Sequence, residues 1–465
     1  MEQRSQSVNG LMTKGAIWKQ LVMFSIPLLL GNLFQQLYNA VDSIVVGNYI
    51  GESALAAVGS STPVINLLVS FFMGISVGAG VVISRYYGAC DFKRVSKAVH
   101  TTLAFALTAG CVMTVIGVLI SSTLLKLVGT PDDVMQESTT YLRIYFLGIL
   151  GVMVYNMGSG ILRAVGDSKR PLYYLIISSI INVILDLVFV IVFKMGISGV
   201  AWATLIAQAT SAILTVAKLM RVEASYKVYL KQIKFHKEEF KSIIGLGLPS
   251  GLQNAIVSFS NVIVQSNINS FGKMAMAGCG SYTKIDGFAI LPVMSISMAL
   301  TTFVGQNMGA KEYSRVKKGA KIGIIMSLII TSIIGTCLII FAPMALRIFS
   351  SDKTVIGYGV LMMRTVVPGY LFLAVSHGFA GIVRGAGLTK VPMFVMIGCW
   401  CGIRMLWILG MNGIFDILNM NRDIRIVFLG YPISWFASAL ILFIYYKKAK
   451  WINAYENEKV ESKQV

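Results

Sequence analysis

The chain has 465 residues, 56% hydrophobic and 13% charged, and its mean hydropathy is +0.74. A soluble protein of this length needs far more polar surface, so a soluble enzyme or a soluble nucleic-acid-binding protein is excluded. The net charge of +20 therefore calls for a membrane explanation.

In chain order, a polar stretch at 1–15 leads into a long apolar segment without an A-x-A-like cleavage site. That pattern predicts a first membrane helix rather than a removable signal peptide. Apolar segments of the length a helix needs to cross a bilayer then recur along the whole chain. They fall near 17–47, 53–84, 98–121, 138–162, 171–193, 197–219, 241–270, 275–306, 320–343, 357–383, 391–412 and 425–446. Lipid offers backbone groups no partners, so helices are the expected form. The predicted fold is all-α and integral to the membrane, with twelve transmembrane helices. The predicted layout is a tail at 1–15, a six-helix lobe at 16–220, a linker at 221–240, a second six-helix lobe at 241–447 and a tail at 448–465.

The basic residues are unevenly placed. If the N-terminus is cytoplasmic, the tails and even-numbered connections hold 29 of the 40 Lys and Arg, the outer connections seven, and the spans four. This is the positive-inside bias, and it predicts a multi-pass protein of the cell membrane with both termini in the cytoplasm. No loop or tail is long enough to form a basic domain for nucleic acid; the lipid bilayer is the expected surrounding.

The two halves repeat. GILRAVGDSKRP at 160–171 returns as GIVRGAGLTKVP at 381–392, an offset of 221 residues. The same offset carries Gly88-Ala89 to Gly309-Ala310, Arg94-Val95 to Arg315-Val316, and Gly51 and Gly59 to Gly272 and Gly280. Six spans per half return the chain to its starting side, so the lobes should be related by a pseudo-twofold axis along the membrane normal. Two such lobes in one chain are the expected architecture of an alternating-access carrier, working as a monomer.

Within the spans, Asp42, Asp186, Asp286 and Asp416 are the only carboxylates, and Asp416 is expected at a solvated helix end. An Asp near a helix centre costs about 2.5–3.5 kcal/mol on insertion scales, so such a residue faces protein or water. Counting at about 1.5 Å per residue, Asp42 lies ~9 Å and Asp186 ~12 Å from the outer ends of spans 1 and 5. Thr204 reaches a similar depth in span 6, and Asn182 shares a helix face with Asp186. The set suits a small hard cation such as Na⁺. Alternatively, two nearby carboxylates bind and release protons, or the group is a hydrogen-bond knot joining helices. The positions 221 residues after Asn182 and Asp186 hold Ile403 and Trp407, so the set exists once.

The second lobe carries Gln253, Asn254, Asn261, Gln265, Lys284, Asp286 and Arg404. Two readings of Asp286 stand: pairing with Lys284 or Arg404, or attraction of a cationic substrate. His377, alone in span 10, reads as a structural histidine before a proton relay. The six cysteines lie mostly in apolar spans and are expected as buried thiols. No G-x-x-x-x-G-K-[ST] and no histidine cluster is present, so no enzyme, no nucleotide and no cofactor beyond a coupling ion is expected.

The opening IPLLLGNLFQQLYNAVDSIVVG, the GA-x5-V turns after spans 2 and 8 and the paired R-x-x-G-x-x-K-x-P motifs resemble the multidrug and toxic compound extrusion family over essentially the whole chain. The resemblance is to its prokaryotic branch with a cation site in the N-terminal lobe. It implies an antiporter that exports cationic or amphipathic drugs or metabolites in exchange for Na⁺ or H⁺. It places cation coupling on Asp42, Asn182, Asp186 and Thr204. Substrate contacts are expected from Gln35, Tyr38, Asn156, Asn261 and Asp286. It also makes Pro27 a bending point of helix 1. The acids that other branches carry in helices 7 and 10 are missing here. A lipid-linked saccharide flippase of the same broader superfamily would need clustered arginines, whereas Arg143, Lys284, Arg364 and Arg404 are dispersed. A membrane-embedded enzyme lacks any visible catalytic constellation.

Overall fold

The structure is a computed structural model that describes residues 11–418 and 422–448. The predicted tails fall largely outside the described residues, and the side chain of Asp416 falls wholly outside them. Among the described residues the fold is helical, without strands. The first half runs α1 (Ile17–Tyr49), α2 (Glu52–Gly88), α3 (Phe92–Val128), α4 (Met135–Ala164), α5 (Lys169–Leu187) and α6 (Ile197–Arg221). The second half runs α7 (Lys237–Asn269), α8 (Lys273–Ala289), α9 (Leu291–Gly309), α10 (Tyr313–Ile340), α11 (Ala342–Arg347), α12 (Lys353–Val366), α13 (Tyr370–Gly385), α14 (Lys390–Met396), α15 (Arg404–Ile417) and α16 (Ile424–Lys448).

Among the described residues, eleven helical segments are long and apolar enough to cross a membrane. The twelfth predicted span, α7, is long enough at 33 residues but falls short in hydropathy. The reason lies in Gln253, Asn254, Asn261, Gln265, Asn267 and Asn269, which dilute its apolar character. The predicted spans at 275–306 and 357–383 are each two helices. The first breaks at Ile290, just before Pro292, and the second at a 3₁₀ turn over Val367–Gly369. Proline withholds an N–H and crowds the preceding turn, which accounts for both breaks.

The 221-residue offset reappears in the backbone. Left-handed conformations occur at Gly51 and Gly272, at Cys90 and Lys311, and at Gly166 and Gly387. These are the tight connections α1–α2, α2–α3 and α4–α5 with their later equivalents. Of the helix starts that follow, that of α3 carries a side-chain cap: Asp91 accepts from the Arg94 N–H at 3.1 Å. Ser76 Oγ donates to the Asn156 carbonyl at 2.8 Å, and Ser297 Oγ to the His377 carbonyl at 2.7 Å, again 221 residues apart.

The chain forms two compact units. One contains Leu30–Gly251; the other contains Met12–Leu29 and the chain from Leu252 onward. The division thus runs through α1 and α7, in each case two residues beyond a proline, Pro27 or Pro249. Specific contacts account for this assignment. In the first unit, the G-x3-G pairs of α2 and α7 cross backbone to backbone. A Cβ on Gly74 would lie 2.3 Å from Gly251 N, and one on Gly78 2.3 Å from Gly247 Cα. In the second unit, the segment before α1 is fastened to α9 and α10. The Met12 N–H donates to Gln306 Oε1 at 2.7 Å, and Met12 O accepts from Asn307 Nδ2 and Arg315 Nε at 3.2 Å each. Outer helix faces expose large apolar side chains, such as Leu119 on α3 and Ile213 on α6, as a hydrocarbon surrounding requires.

The cysteines are all free, and only Cys279 and Cys399 are buried; Cys90, Cys111 and Cys337 are exposed. A lipid-facing surface accepts a small apolar side chain as readily as a core does, so apolar sequence context did not imply burial.

Candidate cation and substrate site

Three helices of the first unit each carry a polar stripe at helical spacing. On α1 these are Gln35, Tyr38 and Asp42; on α5, Ser178, Asn182 and Asp186; on α6, Thr204, Gln208 and Ser211. Steps of three and four residues put each set on one face. On α4, Tyr141, Tyr145 and Asn156 share a further face. Gly148 lets α6 approach it, since a Cβ there would lie 2.9 Å from Gln208 Oε1.

The four predicted coupling residues meet. The carboxyl groups of Asp42 and Asp186 are neighbours and act on one another electrostatically. Asn182 and Asp186 are fully buried. With the Asn182 amide turned so that both of its ends are satisfied, its nitrogen donates to Asp186 Oδ2 at 3.0 Å and its oxygen accepts from the Thr204 N–H at 3.2 Å. Tyr38 stands beside Thr204 and feels the charge of both Asp42 and Asp186. Asp42 Oδ1 and Asp186 Oδ1 are buried without a hydrogen-bond partner. Buried carboxylate oxygens are costly when left bare, and a proton or a small cation would lower that cost. The amide oxygen of Asn182 is committed to Thr204, and its nitrogen, not its oxygen, faces the acid. Directly beyond Asp186 and Leu187 the helix widens into a π turn over Val188–Val192, a local form frequent at functional sites.

Beside this pair lies a cavity of about 120 Å³. Its wall includes the predicted Gln35, Tyr38 and Asn156, and also Tyr145, Tyr155 and Gln208, which sequence reasoning missed. No charged side chain lines it. Tyr38 belongs to both the cavity wall and the carboxyl cluster. Gln208 Oε1 is buried without a partner, an acceptor left open at the cavity. The helical spacing of Tyr141 and Tyr145 with Asn156 was the signal that would have found the α4 face.

The second-unit candidates are elsewhere and do not form the expected ion pairs. Lys284 is exposed, with its ammonium 5.6 Å from the Phe349 ring centre. Arg404 is buried: Nε and Nη2 donate to Ser434 Oγ at 3.1 and 2.9 Å, and its guanidinium lies 4.4 Å from the Tyr431 ring centre. Arg404 Nη1 also donates to the Asn261 amide oxygen at 3.4 Å. Asp286 accepts instead from the hydroxyls of Tyr282 and Tyr370. The physical reason is spacing: residues two apart, as Lys284 and Asp286 are, point to different helix faces, whereas Tyr282 and Asp286 are four apart and meet. The His377 ring packs edge-on against Trp400 with centres 5.4 Å apart, and neither nitrogen has a hydrogen-bond partner.

The MatE family model matches residues 27–188 and again 249–408, once in each half. The probable multidrug resistance proteins YoeA and YpnP of Bacillus subtilis (strain 168) are each 29% identical to this chain. YoeA aligns over 94% of both chains, and YpnP over 94% of this chain and 97% of its own. A MOP superfamily transporter from Pyrococcus furiosus has the same fold, with a TM-score of 0.88, 23% identity and coverage of 97% of this chain and 99% of that one. Two matches to one model, the first spanning the helices that carry the carboxyl pair, assign the chain: it belongs to the MatE family, a family of membrane transporters and not of enzymes.

Proposed function

We propose that this protein is a secondary active antiporter that exports organic compounds of the multidrug class in exchange for H⁺ or Na⁺. The observation that carries the reading is the contact of two carboxyl groups, Asp42 and Asp186, one helical turn from a cavity they share through Tyr38. Two neighbouring carboxyl groups favour one proton between them, or a cation in its place. The two bare carboxylate oxygens are acceptors for either.

A proton or cation placed between the acids replaces their repulsion by a bond and tightens the Asp42–Asp186 contact that joins α1 to α5. Tyr38 relays that change to the cavity, because it stands beside Asp42 and also lines the wall. Coupling then needs the ion to bind the inward-open and outward-open states unequally, since equal binding shifts nothing. The uncharged wall of tyrosines, glutamines and an asparagine suits ring-containing, hydrogen-bonding amphiphiles, with cationic ones drawn by the adjacent acids. The names of the Bacillus relatives support the substrate class. The distribution of Lys and Arg supports both termini lying in the cytoplasm, and the single-chain duplication supports action as a monomer.

The test is dye efflux from proteoliposomes with H⁺ and Na⁺ gradients imposed separately. Efflux above the passive leak under at least one gradient is expected; efflux that ignores both gradients would refute the antiport reading.

A further inference from the structure

We propose that the second unit holds a proton-binding site of its own, formed by Asp286 with the hydroxyls of Tyr282 and Tyr370. Tyr282 and Asp286 lie four residues apart on one face of α8. Tyr370 opens α13 immediately after the 3₁₀ turn at Val367–Gly369, and Pro368 within that turn sets the direction in which α13 starts.

Three oxygens form a closed triangle. Tyr282 Oη is 3.3 Å from Asp286 Oδ1 and 3.1 Å from Tyr370 Oη, and the Tyr370 hydroxyl hydrogen-bonds the same Oδ1. The triangle has three edges, and the two phenols supply only two protons. With Asp286 ionised, one edge is an oxygen–oxygen contact without hydrogen. A proton on Asp286 completes the ring: Oδ1–H donates to Tyr282, Tyr282 to Tyr370, and Tyr370 back to Oδ1. Each hydroxyl then donates once and accepts once.

No cation does this work instead. Lys284 stands over Phe349, and Arg404 is held by Ser434, Asn261 and the Tyr431 ring. The titratable groups facing Asp286 are Tyr282, Tyr370 and, on α16, Tyr431; no Lys, Arg or His among the described residues pairs with it. Tyr282 and Tyr370 are 3% and 2% exposed, whereas Asp286 is half-buried and so the most accessible member of the trio. The residues 221 earlier are Ser61, Ile65 and Ile149, so this site, like the carboxyl pair of the first unit, exists in one copy. The two acidic sites occupy different positions of the repeat.

The inference stands apart from the antiport reading and is tested at equilibrium, without transport. Full-length protein carrying ¹³C-labelled aspartate is titrated in lipid nanodiscs by infrared difference spectroscopy, in the Asp42→Asn/Asp186→Asn background. A protonated-carboxyl signal should remain and titrate with pH. It should vanish on adding Asp286→Asn. Tyr370→Phe, which keeps the buried ring, should move its midpoint by about one pH unit, the size of one hydrogen bond to a carboxylate. If Asp286→Asn does not fold, Tyr370→Phe decides. No titrating signal in the double-variant background, a signal untouched by both substitutions, or a signal governed by Na⁺ rather than pH would each overturn the proposal.

Discussion

Asn182 and Asp186 are tied to one another along α5, and Asn182 binds α6 as well: its amide donates to Asp186 Oδ2 at 3.0 Å and accepts from the Thr204 N–H at 3.2 Å. The amide thereby fixes which carboxylate oxygen of Asp186 is occupied and which is left bare toward Asp42. An amide cannot change charge, so it holds this orientation through any change of protonation in the acids. Asn182→Ala should therefore cost about 1–3 kcal/mol of stability, the penalty for leaving a buried acceptor short of its donor. Thermal unfolding of the purified variant checks the cost. Asn182→Asp should instead alter the pH profile of efflux, by placing a third carboxyl against the pair.

The α2–α7 crossing has no room for side chains at its glycines. Gly78→Ala would put a Cβ 2.3 Å from Gly247 Cα, and backbone, unlike a side-chain tip, cannot swing aside. Overpacking of this kind costs ~1–3 kcal/mol. A lowered melting temperature in Gly78→Ala is expected, with a larger drop in Gly78→Leu. Gly59→Ala, where a Cβ meets nothing within 4 Å, should leave the melting temperature unchanged.

Substrate size should be read by the cavity wall. Met73 lines the cavity but does not touch the carboxyl pair, so Met73→Trp fills space without altering charge. Large amphiphiles should lose on the order of tenfold or more in kcat/KM, small ones much less. Efflux kinetics across a size series measures this, and a uniform loss would place the substrate elsewhere.

The segment between α6 and α7 is fastened to α3 by two histidines. The Tyr229 N–H donates to His100 Nε2 at 3.0 Å; the His236 N–H donates to Thr101 Oγ1 at 3.2 Å, and its Nδ1 lies 3.1 Å from that hydroxyl. Burial holds His236 below the usual histidine range; Lys234, Lys97 and His100 add to this and Glu239 opposes it. A depressed value in the docked state means that docking is fully favoured above the ordinary histidine value of about 6.5 and is lost as pH falls through the docked value. Hydrogen exchange of residues 222–236 should rise on acidification. His236→Asn should flatten that dependence.

The sequence carried the spans, the repeat and the isolated acids clearly, because a bilayer makes each of them expensive to place by chance. Asp186 announced itself as a charge amid apolar residues, and its similar depth to Asp42 pointed to their meeting. Other features depended on contacts between helices that no spacing encodes. Lys284 and Asp286 looked like a pair by proximity along the chain, yet they face apart, and the true partner Tyr370 is 84 residues away. Tyr145 and Tyr155 were hidden among an 11% aromatic content in which most rings pack or face lipid. The polar residues of α7 were read as a single apolar span because their dilution of the helix is spread over its whole length.

The account rests on the Asp42–Asp186 pair as the coupling site, and gradient-driven efflux in reconstituted vesicles tests it most directly. Asp42→Asn and Asp186→Asn, each shown to insert and to keep the wild-type elution profile, should reduce efflux to the passive leak under both H⁺ and Na⁺ gradients. Full gradient-driven efflux in either variant would contradict the account.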